Sequence, residues 1–472
     1  MCGIIGLIAP GRQVSFDLYN GLLNLQHRGQ DNAGIFTTDE NQVYLVKGRG
    51  LVAEVFNWKK VEGLKGSMGI GQVRYPTTAS KLDSQPFYLD QGGIALAHNG
   101  NIYNEKSLRR RLEDSRIYCD SDCDAETILK VFAYYFNRKT GPIAQRCFAA
   151  AKKTMQKLDG SYSVVAVIRN AGFFAFRDPH AIRPFVWGKK TWNGRVKAYA
   201  FASESVAIES LVDSVSNVRP GEAIFISKNL DCQRKILNRK KRAHCFFEWV
   251  YFSRSTSIIE NISVNRVRWN LGKVLAEIYS QSPLYERLSR GKRQVIVAPV
   301  PETARPASLA FAQRLKYQYK DILEKNRFIG RVFLKPNEAI RRQEIAGNMR
   351  IIEGVVKDKI VLLIDDSIVR GTTSRGIVQR IRSRGAKEVH LLSTCPPLIY
   401  PCFYGVDFPD PAELVAYKRK ITEIEAYIGA DSITYMTLAG LTKAIGLKEN
   451  QLCTACLTGR YPTSLDQLVE SL

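Results

Sequence analysis

Val361-Leu-Leu-Ile-Asp365-Asp366-Ser367-Ile-Val-Arg-Gly371-Thr372-Thr373 is an apolar strand that runs into two adjacent carboxylates and then a turn rich in glycine and hydroxyls. A turn of this kind at a strand's carboxyl end, leading into a helix, offers backbone N–H groups and hydroxyls to a phosphate, and the helix dipole adds to the attraction. The carboxylates would repel that phosphate, so they suit a pair of sugar hydroxyls instead. Strand, acid pair and turn together describe a pocket for a ribose 5-phosphate. The competing reading is an ordinary buried strand with a solvated Asp-Asp turn, against which the Ser, Gly, Thr and Thr stand at the right offsets.

Outward from this stretch the second half alternates helices with apolar strands. Residues 294–299, 359–365 and 388–393 read as strands and 374–384 as a helix, an α/β pattern with a mainly parallel sheet. The first half reads differently: short β-like runs at 3–9, 161–169 and 221–227, with helical periodicity at 16–27 and 125–136. Residues 228–241, polar and basic, are the expected connector, which divides the chain into 1–240 and 241–472. A chain of 472 residues is too long for one core and fits two domains.

With 45% hydrophobic and 24% charged residues the chain reads as globular. No apolar run approaches a membrane span and no charged-then-apolar leader opens it, so the expectation is a cytoplasmic protein with no membrane partner. Lys plus Arg exceed Asp plus Glu by 69 to 45, a net charge of +24, with an isoelectric point near 9.6. The basic runs, Lys189-Lys190, Arg239-Lys240-Lys241-Arg242 and Lys418-Arg419-Lys420, are short and dispersed. They read as a solvated basic surface rather than a specific nucleic-acid site, and the sequence offers no reason for so large an excess.

The amino end carries separate chemistry. In Met1-Cys2-Gly3-Ile4-Ile5-Gly6, removal of the initiator methionine makes Cys2 the first residue. Its α-amine, with an ordinary pKa near 8, then lies beside its own thiol and can act as general base. Alone, a second-position cysteine is a weak signal, equally at home as a buried strand residue.

Further segments supply what an amide-cleaving thiol needs. His27-Arg28-Gly29-Gln30-Asp31, Gln72-Val73-Arg74-Tyr75, His98-Asn99-Gly100-Asn101 and Asp124-Ala125-Glu126 resemble, in this order, segments of N-terminal-nucleophile glutamine amidotransferases. That resemblance implies Arg74 on the glutamine α-carboxylate, Asp124 on its α-ammonium, and the Asn99 side chain with the Gly100 N–H as the oxyanion hole. Taken singly, the same residues also fit a surface ion pair for Arg74, a type I′ hairpin turn at Asn99-Gly100 and a helix N-cap at Asp124.

The acid-pair stretch resembles the type I phosphoribosyltransferase signature. It implies that Asp365 and Asp366 grip the ribose hydroxyls while Ser367, Gly371, Thr372 and Thr373 hold the 5-phosphate. Glutaminase first and phosphoribosyltransferase second is the arrangement of the glutamine phosphoribosylpyrophosphate amidotransferases. Asp159-Gly160-Ser161-Tyr162, Arg177-Asp178-Pro179, Arg183-Pro184, Ala202-Ser203-Glu204, Pro220-Gly221-Glu222, the run from Glu248 to Arg254 and Val300-Pro301-Glu302-Thr303-Ala304-Arg305-Pro306 extend the resemblance over almost the whole chain. Glucosamine-6-phosphate synthase is similar only in the first half, and the acid pair excludes it.

The resemblance implies a four-layer αββα N-terminal-nucleophile glutaminase domain followed by a type I phosphoribosyltransferase α/β domain, α+β and then α/β. The implied reaction makes 5-phosphoribosylamine, glutamate and diphosphate from glutamine and 5-phosphoribosyl-1-pyrophosphate with Mg2+, the first committed step of purine synthesis. Purine nucleotide feedback inhibitors and a homo-oligomer belong to the same expectation.

Of ten cysteines, Cys453-Thr-Ala-Cys456 alone has a tight metal-ligand spacing, which by itself fits half a zinc site or a redox pair. In one branch of the family, cysteines in the contexts of Cys245, Cys402, Cys453 and Cys456 bind a [4Fe–4S] cluster, and all four positions are cysteine here. Cys119, Cys123, Cys147, Cys232 and Cys395 read as ordinary thiols.

The chain also departs from the family pattern. Glu302 stands where a shorter acid is usual in the diphosphate-facing turn, and Ser255-Thr256 follow Arg254 in place of the usual Pro-Asp. The loop over the diphosphate opens at Lys325-Asn326-Arg327-Phe328-Ile329-Gly330-Arg331, with Arg331 assigned to the diphosphate, but reads Gly347-Asn348 where lysine is common. A missing cation there weakens closure unless Arg341, Arg342 or Arg350 substitutes. The altered loop and the charge leave a second expectation: a catalytically weakened paralogue that binds the sugar diphosphate or nucleic acid as a regulator.

Overall fold

The computed structural model describes residues 2–39, 42–75, 83–290, 294–325, 349–352, 354–408 and 410–465. Two antiparallel sheets account for the first half. One has seven strands in the order Ser216–Asn217, Val186–Trp192, Arg195–Ala202, Gly3–Ile8, Met68–Arg74, Asn32–Thr38, Val43–Arg49; the other has six, Cys232–Ile236, Glu222–Ser227, Gly172–Arg177, Gly160–Ile168, Ile94–Ile102, Phe87–Leu89.

Strand alternation explains how they stack. Ile4 and Ile8 project from the amino-terminal strand toward Val165, Val167 and Phe173 of the facing sheet, while Ile5 and Leu7 point the other way, toward Leu18 and Leu22. At Gly6 a Cβ would lie 2.3 Å from the Phe173 ring, so glycine is what lets the sheets approach there. The helix Ser15–Leu25 covers the outer face of the first sheet with Leu18, Leu22 and Leu25, and the helices Asp124–Asn137 and Ile143–Met155 cover the second with Phe132, Phe136 and Phe148. The result is the αββα sandwich.

The second half is a five-stranded, wholly parallel sheet, ordered Gln318–Tyr319, Val295–Pro299, Ile360–Asp365, Glu388–Ser393, Ser432–Tyr435. Its central strands are buried throughout, because helices cover both faces and leave no polar side. The order reverses between Val295–Pro299 and Ile360–Asp365. That switch point is where an open α/β sheet leaves a crevice at its carboxyl edge.

The expected connector at 228–241 is mostly not one. Cys232–Ile236 is an exposed edge strand paired with Glu222–Ser227. Its Gln233, Arg234 and Lys235 read as linker because an edge strand carries polar side chains that discourage pairing with other chains. Beyond it the chain forms the short strand His244–Cys245, which pairs in parallel with Leu452–Cys453, so the carboxyl-terminal segment is stitched to the start of the second half.

The halves meet along residues 403–405. Asn101 Nδ2 donates to Phe403 O at 3.0 Å, Ser161 Oγ to Tyr404 O at 2.8 Å and Arg183 Nε to Tyr404 O at 2.7 Å. No helix among the described residues is long and apolar enough to cross a membrane.

Candidate active site

Cys2 immediately precedes the strand Gly3–Ile8, buried, with its thiol 3.8 Å from Tyr75 O. Its carbonyl accepts from Arg28 Nε at 2.9 Å. Arg28, fully buried, pairs with Glu204 at 2.5 Å and with Glu248 at 2.8 Å, and Glu248 also takes Arg183 at 3.2 Å. Burial disfavours the charge on each, yet the mutual attraction outweighs it. Arg28 is held above its ordinary value by Glu248 and Glu204, Glu204 below its own by His27 and Arg28, and Glu248 below by Arg28 and Arg183. This network runs from the nucleophile's carbonyl to residue 404 of the other half.

Arg74 and Asp124 face the same space. Arg74 is 3% exposed at the end of Met68–Arg74, and its Nη1 donates to Asp83 O. That excludes the surface ion pair. Gly29 is required beside it, since a Cβ there would lie 2.6 Å from the Arg74 backbone. Asp124 is the first residue of Asp124–Asn137, with Cys123 as the N-cap, so the N-cap reading fails too: the carboxylate turns back to His98 Nε2 at 3.1 Å and Ile102 N at 3.4 Å. Burial opposes its ionisation, but His98 and then Arg74 hold it below the ordinary aspartate value.

Asn99 and Gly100 lie inside the nine-residue strand Ile94–Ile102, opposite Ser163 and Tyr162, and not in a hairpin turn. An Asn-Gly pair suggests a turn because glycine tolerates positive φ, and Gly100 does have φ +151°. Here the conformation serves a strand whose neighbour approaches so closely that a Cβ would sit 1.9 Å from Ser161 O. Asn99 Nδ2 donates to Ser203 Oγ at 3.3 Å, while its Oδ1, buried, has no partner among the described residues. A half-turn of the amide lets the Ser203 hydroxyl donate to Oδ1 and aims Nδ2 into the site. The N–H of Ile4 already fills one acceptor position of that hydroxyl, at 3.0 Å.

The second site lies at the switch point. Asp365 and Asp366 end the strand Ile360–Asp365, both buried, and Thr303, from the turn after Val295–Pro299, donates to Asp366. Burial and then the neighbouring Asp366 push the Asp365 carboxyl far above its ordinary value, and burial raises Asp366. Such a pair holds two charges only when hydroxyls or a cation arrive. Ser367 donates to Asp366 at 2.7 Å, so its hydroxyl serves the acid pair here rather than the phosphate turn. Gly371, at φ +74°, caps the helix Thr372–Ser383, whose first residue Thr372 is exposed and Thr373 half-buried. Glu302 adjoins this edge and ion-pairs with Arg305 at 3.5 Å. Arg331, Gly347 and Asn348 lie outside the described residues; the loop's two ends pair as an antiparallel ribbon, Leu323–Lys325 with Met349–Ile351.

Cys245, Cys402, Cys453 and Cys456 line one cavity together with Arg183, Phe247 and Tyr404. Cys245 faces Cys453 across the parallel strand pair, and the Tyr404 N–H donates to Cys402 Sγ at 3.4 Å. Among the described residues no three His, Cys, Asp or Glu side chains converge as ligands of a single ion. Four thiols on one cavity are a donor set that could hold a thiolate-bound metal group.

Sequence motifs marked Arg28, Arg183, Ser203, Glu204 and Glu248 without giving them roles. Their function as a buried brace depends on partners more than 20 residues away and has no local signal.

Comparison with known proteins agrees with this geometry. Residues 72–210 match the family model described as a glutamine amidotransferase domain. The chain is 38% identical over 471 residues to an amidophosphoribosyltransferase of Methanothermobacter thermautotrophicus, covering 98% of this chain and 95% of that one. It is 41% identical over 454 residues to that of Escherichia coli, covering 94% and 88%. The structure superposes with a TM-score of 0.85, at 34% identity and covering 99% and 98% of the two chains, on a glutamine phosphoribosylpyrophosphate amidotransferase from B. subtilis complexed with ADP and GMP.

Proposed function

The chain belongs to the amidophosphoribosyltransferase family, and on that premise we propose how its residues divide the work. The enzyme forms 5-phosphoribosylamine, glutamate and diphosphate from glutamine and 5-phosphoribosyl-1-pyrophosphate, the first committed step of purine synthesis. The relatives do not favour the regulatory paralogue. The observation that carries the assignment of residues is the pairing, in one chain, of a buried thiol among Arg74, Asn99, Gly100 and Asp124 with a buried acid pair at a sheet switch point.

The Cys2 α-amine, freed of Met1, takes the thiol proton, and the thiolate attacks the glutamine side-chain amide. Arg74 holds the α-carboxylate and Asp124 the α-ammonium. The oxyanion is met by Asn99 Nδ2 and the Gly100 N–H. Ammonia leaves, and water cleaves the γ-glutamyl thioester at Cys2. Gly405 of the second half packs on Gly100, a Cβ there lying 3.2 Å from the Gly100 carbonyl, so ammonia is released against the domain junction rather than into bulk water, where it would be protonated.

In the second half, Asp365 and Asp366 bind the ribose hydroxyls and stabilise the positive charge that develops at the anomeric carbon, while Gly371, Thr372 and Thr373 hold the 5-phosphate at the helix N-terminus. Mg2+, when bound, supplies charge neutralisation on the departing diphosphate. Asp365 and Asp366 are the carboxylates at this edge that would hold it, with waters and substrate phosphates as its remaining ligands. Glu302, on the turn after Val295–Pro299, belongs to the diphosphate side.

Cys245, Cys402, Cys453 and Cys456 hold a [4Fe–4S] cluster, which, when bound, ties the carboxyl-terminal segment to the start of the second half and to residues 402–404. Four thiols on one cavity support this. Such ligands need a reducing compartment, the cytoplasm. Purine nucleotides regulate this chain, a reading supported by the ADP and GMP of the B. subtilis relative, and the homo-oligomer rests on the family resemblance alone. Anaerobically purified protein should be brown, with about four irons per chain. Stoichiometric zinc without visible absorption would reject the cluster.

A further inference from the structure

Behind Asp124 stands a buried polar chain whose hydrogen positions follow from elimination. The His98 backbone N–H can only donate, and it donates to Gln85 Oε1 at 2.8 Å, which fixes the orientation of that side-chain amide. Gln85 Nε2 is therefore the donor facing His98 Nδ1 at 3.4 Å, so Nδ1 is the acceptor. The ring proton then sits on Nε2 and is donated to Asp124 Oδ2 at 3.1 Å. Oδ2 also receives the Ile102 N–H, and among the described residues Oδ1 has only the long Cys123 thiol contact at 3.8 Å. His98 is 1% exposed and Gln85 also 1%. The mechanism above uses neither.

We propose that His98, its ring oriented by Gln85, is a positioning residue that pins Asp124 Oδ2 through its Nε2–H and thereby presents Oδ1 to the α-ammonium of glutamine. The inference rests on Asp124 being the ammonium ligand. Its consequence is selective: a loosened Asp124 fails substrates that carry an α-ammonium and leaves unaffected those that lack one. A purely structural role for His98 would harm both alike.

The test compares kcat/KM for glutamine with that for glutaramate, glutamine without its α-amino group, in the full-length enzyme. Asp124→Asn calibrates the ratio; if it leaves the preference for glutamine intact, the ammonium assignment itself is wrong. His98→Asn places its amide at the Nδ1 position, where it meets Gln85 but not Asp124, and should lower the glutamine-to-glutaramate ratio by roughly tenfold or more, the scale of one hydrogen bond to a charged group. His98→Gln places an N–H near the Nε2 position and should retain most of the ratio. Ammonia-dependent synthesis reports that the variants are folded. Should either variant fail that check, Gln85→Met, which frees the ring to turn, reads the same ratio and should lower it. An Asp124→Asn collapse with an unchanged ratio in His98→Asn, or equal losses in His98→Asn and His98→Gln, would overturn the proposal.

Discussion

Asn99 and Gly100 lie inside an antiparallel strand, whereas Asp365 and Asp366 lie at the point where a parallel strand ends. In the sandwich, reactive groups are held by what crosses between strands: Ser203 under Asn99, Ser161 against Gly100, His98 under Asp124, and the Arg28–Glu204–Glu248 network beneath Cys2. In the parallel sheet they are held by topology, because the order reverses beside Pro299 and Asp365 and opens a crevice whatever the side chains are. The glutaminase site is thus specified by many distant pairs, and the sugar site by one local stretch.

That contrast predicts different kinds of failure. Cys2→Ala removes the thiol that the α-amine can activate, so glutamine-dependent synthesis should fall on the order of 10⁴-fold or more while synthesis from ammonia at high pH persists. Kinetics with each nitrogen source check this, and retained glutamine hydrolysis would sink the assignment of the nucleophile.

The same contrast governs what could be read from sequence. The α/β half is legible from three of its five strands, and Asp365, Asp366, Gly371, Thr372 and Thr373 stand out as candidates in contiguous text, because a site at a strand end follows strand order. In the sandwich the motifs named candidate residues but not their local structure. Asn99-Gly100 reads as a turn, since a glycine with φ +151° in a strand interior is demanded only by Ser161 across the ladder. The strand Cys232–Ile236 reads as a linker because its exposed polar residues mark an edge. The buried brace, Arg28 with Glu204 and Glu248, spans intervals of 176 and 220 residues, and no periodicity carries such a signal.

The brace also makes the first site sensitive to acid. Glu204 and Glu248 ionise more readily in the folded chain than the ordinary glutamate value of 4.5, because Arg28, with His27 or Arg183, outweighs the cost of burial. Depressed carboxylates contribute stability that is complete above the unfolded value and lost as pH falls through the folded one. Resistance to urea should therefore drop as pH is lowered below about 4.5. Glu248→Gln should cost about 3–5 kcal/mol at neutral pH, since it leaves Arg28 and Arg183 buried with less counter-charge, and should flatten the acid slope. A slope identical to wild type would place the acid sensitivity elsewhere.

The central claim is that two separate sites share one chain and that the acid pair belongs to the sugar. Glutamate, diphosphate and phosphoribosylamine formed by wild type and Asp366→Asn, with glutamine or ammonia as nitrogen source, test it most directly. Wild type should form the three products in equal amounts from glutamine. Asp366→Asn should lose roughly 30- to 1000-fold in phosphoribosylamine from both nitrogen sources, about 2–4 kcal/mol of transition-state stabilisation, while glutamine hydrolysis without the sugar stays near its wild-type rate. A loss confined to the glutamine-dependent reaction would assign the acid pair to coupling and contradict the account.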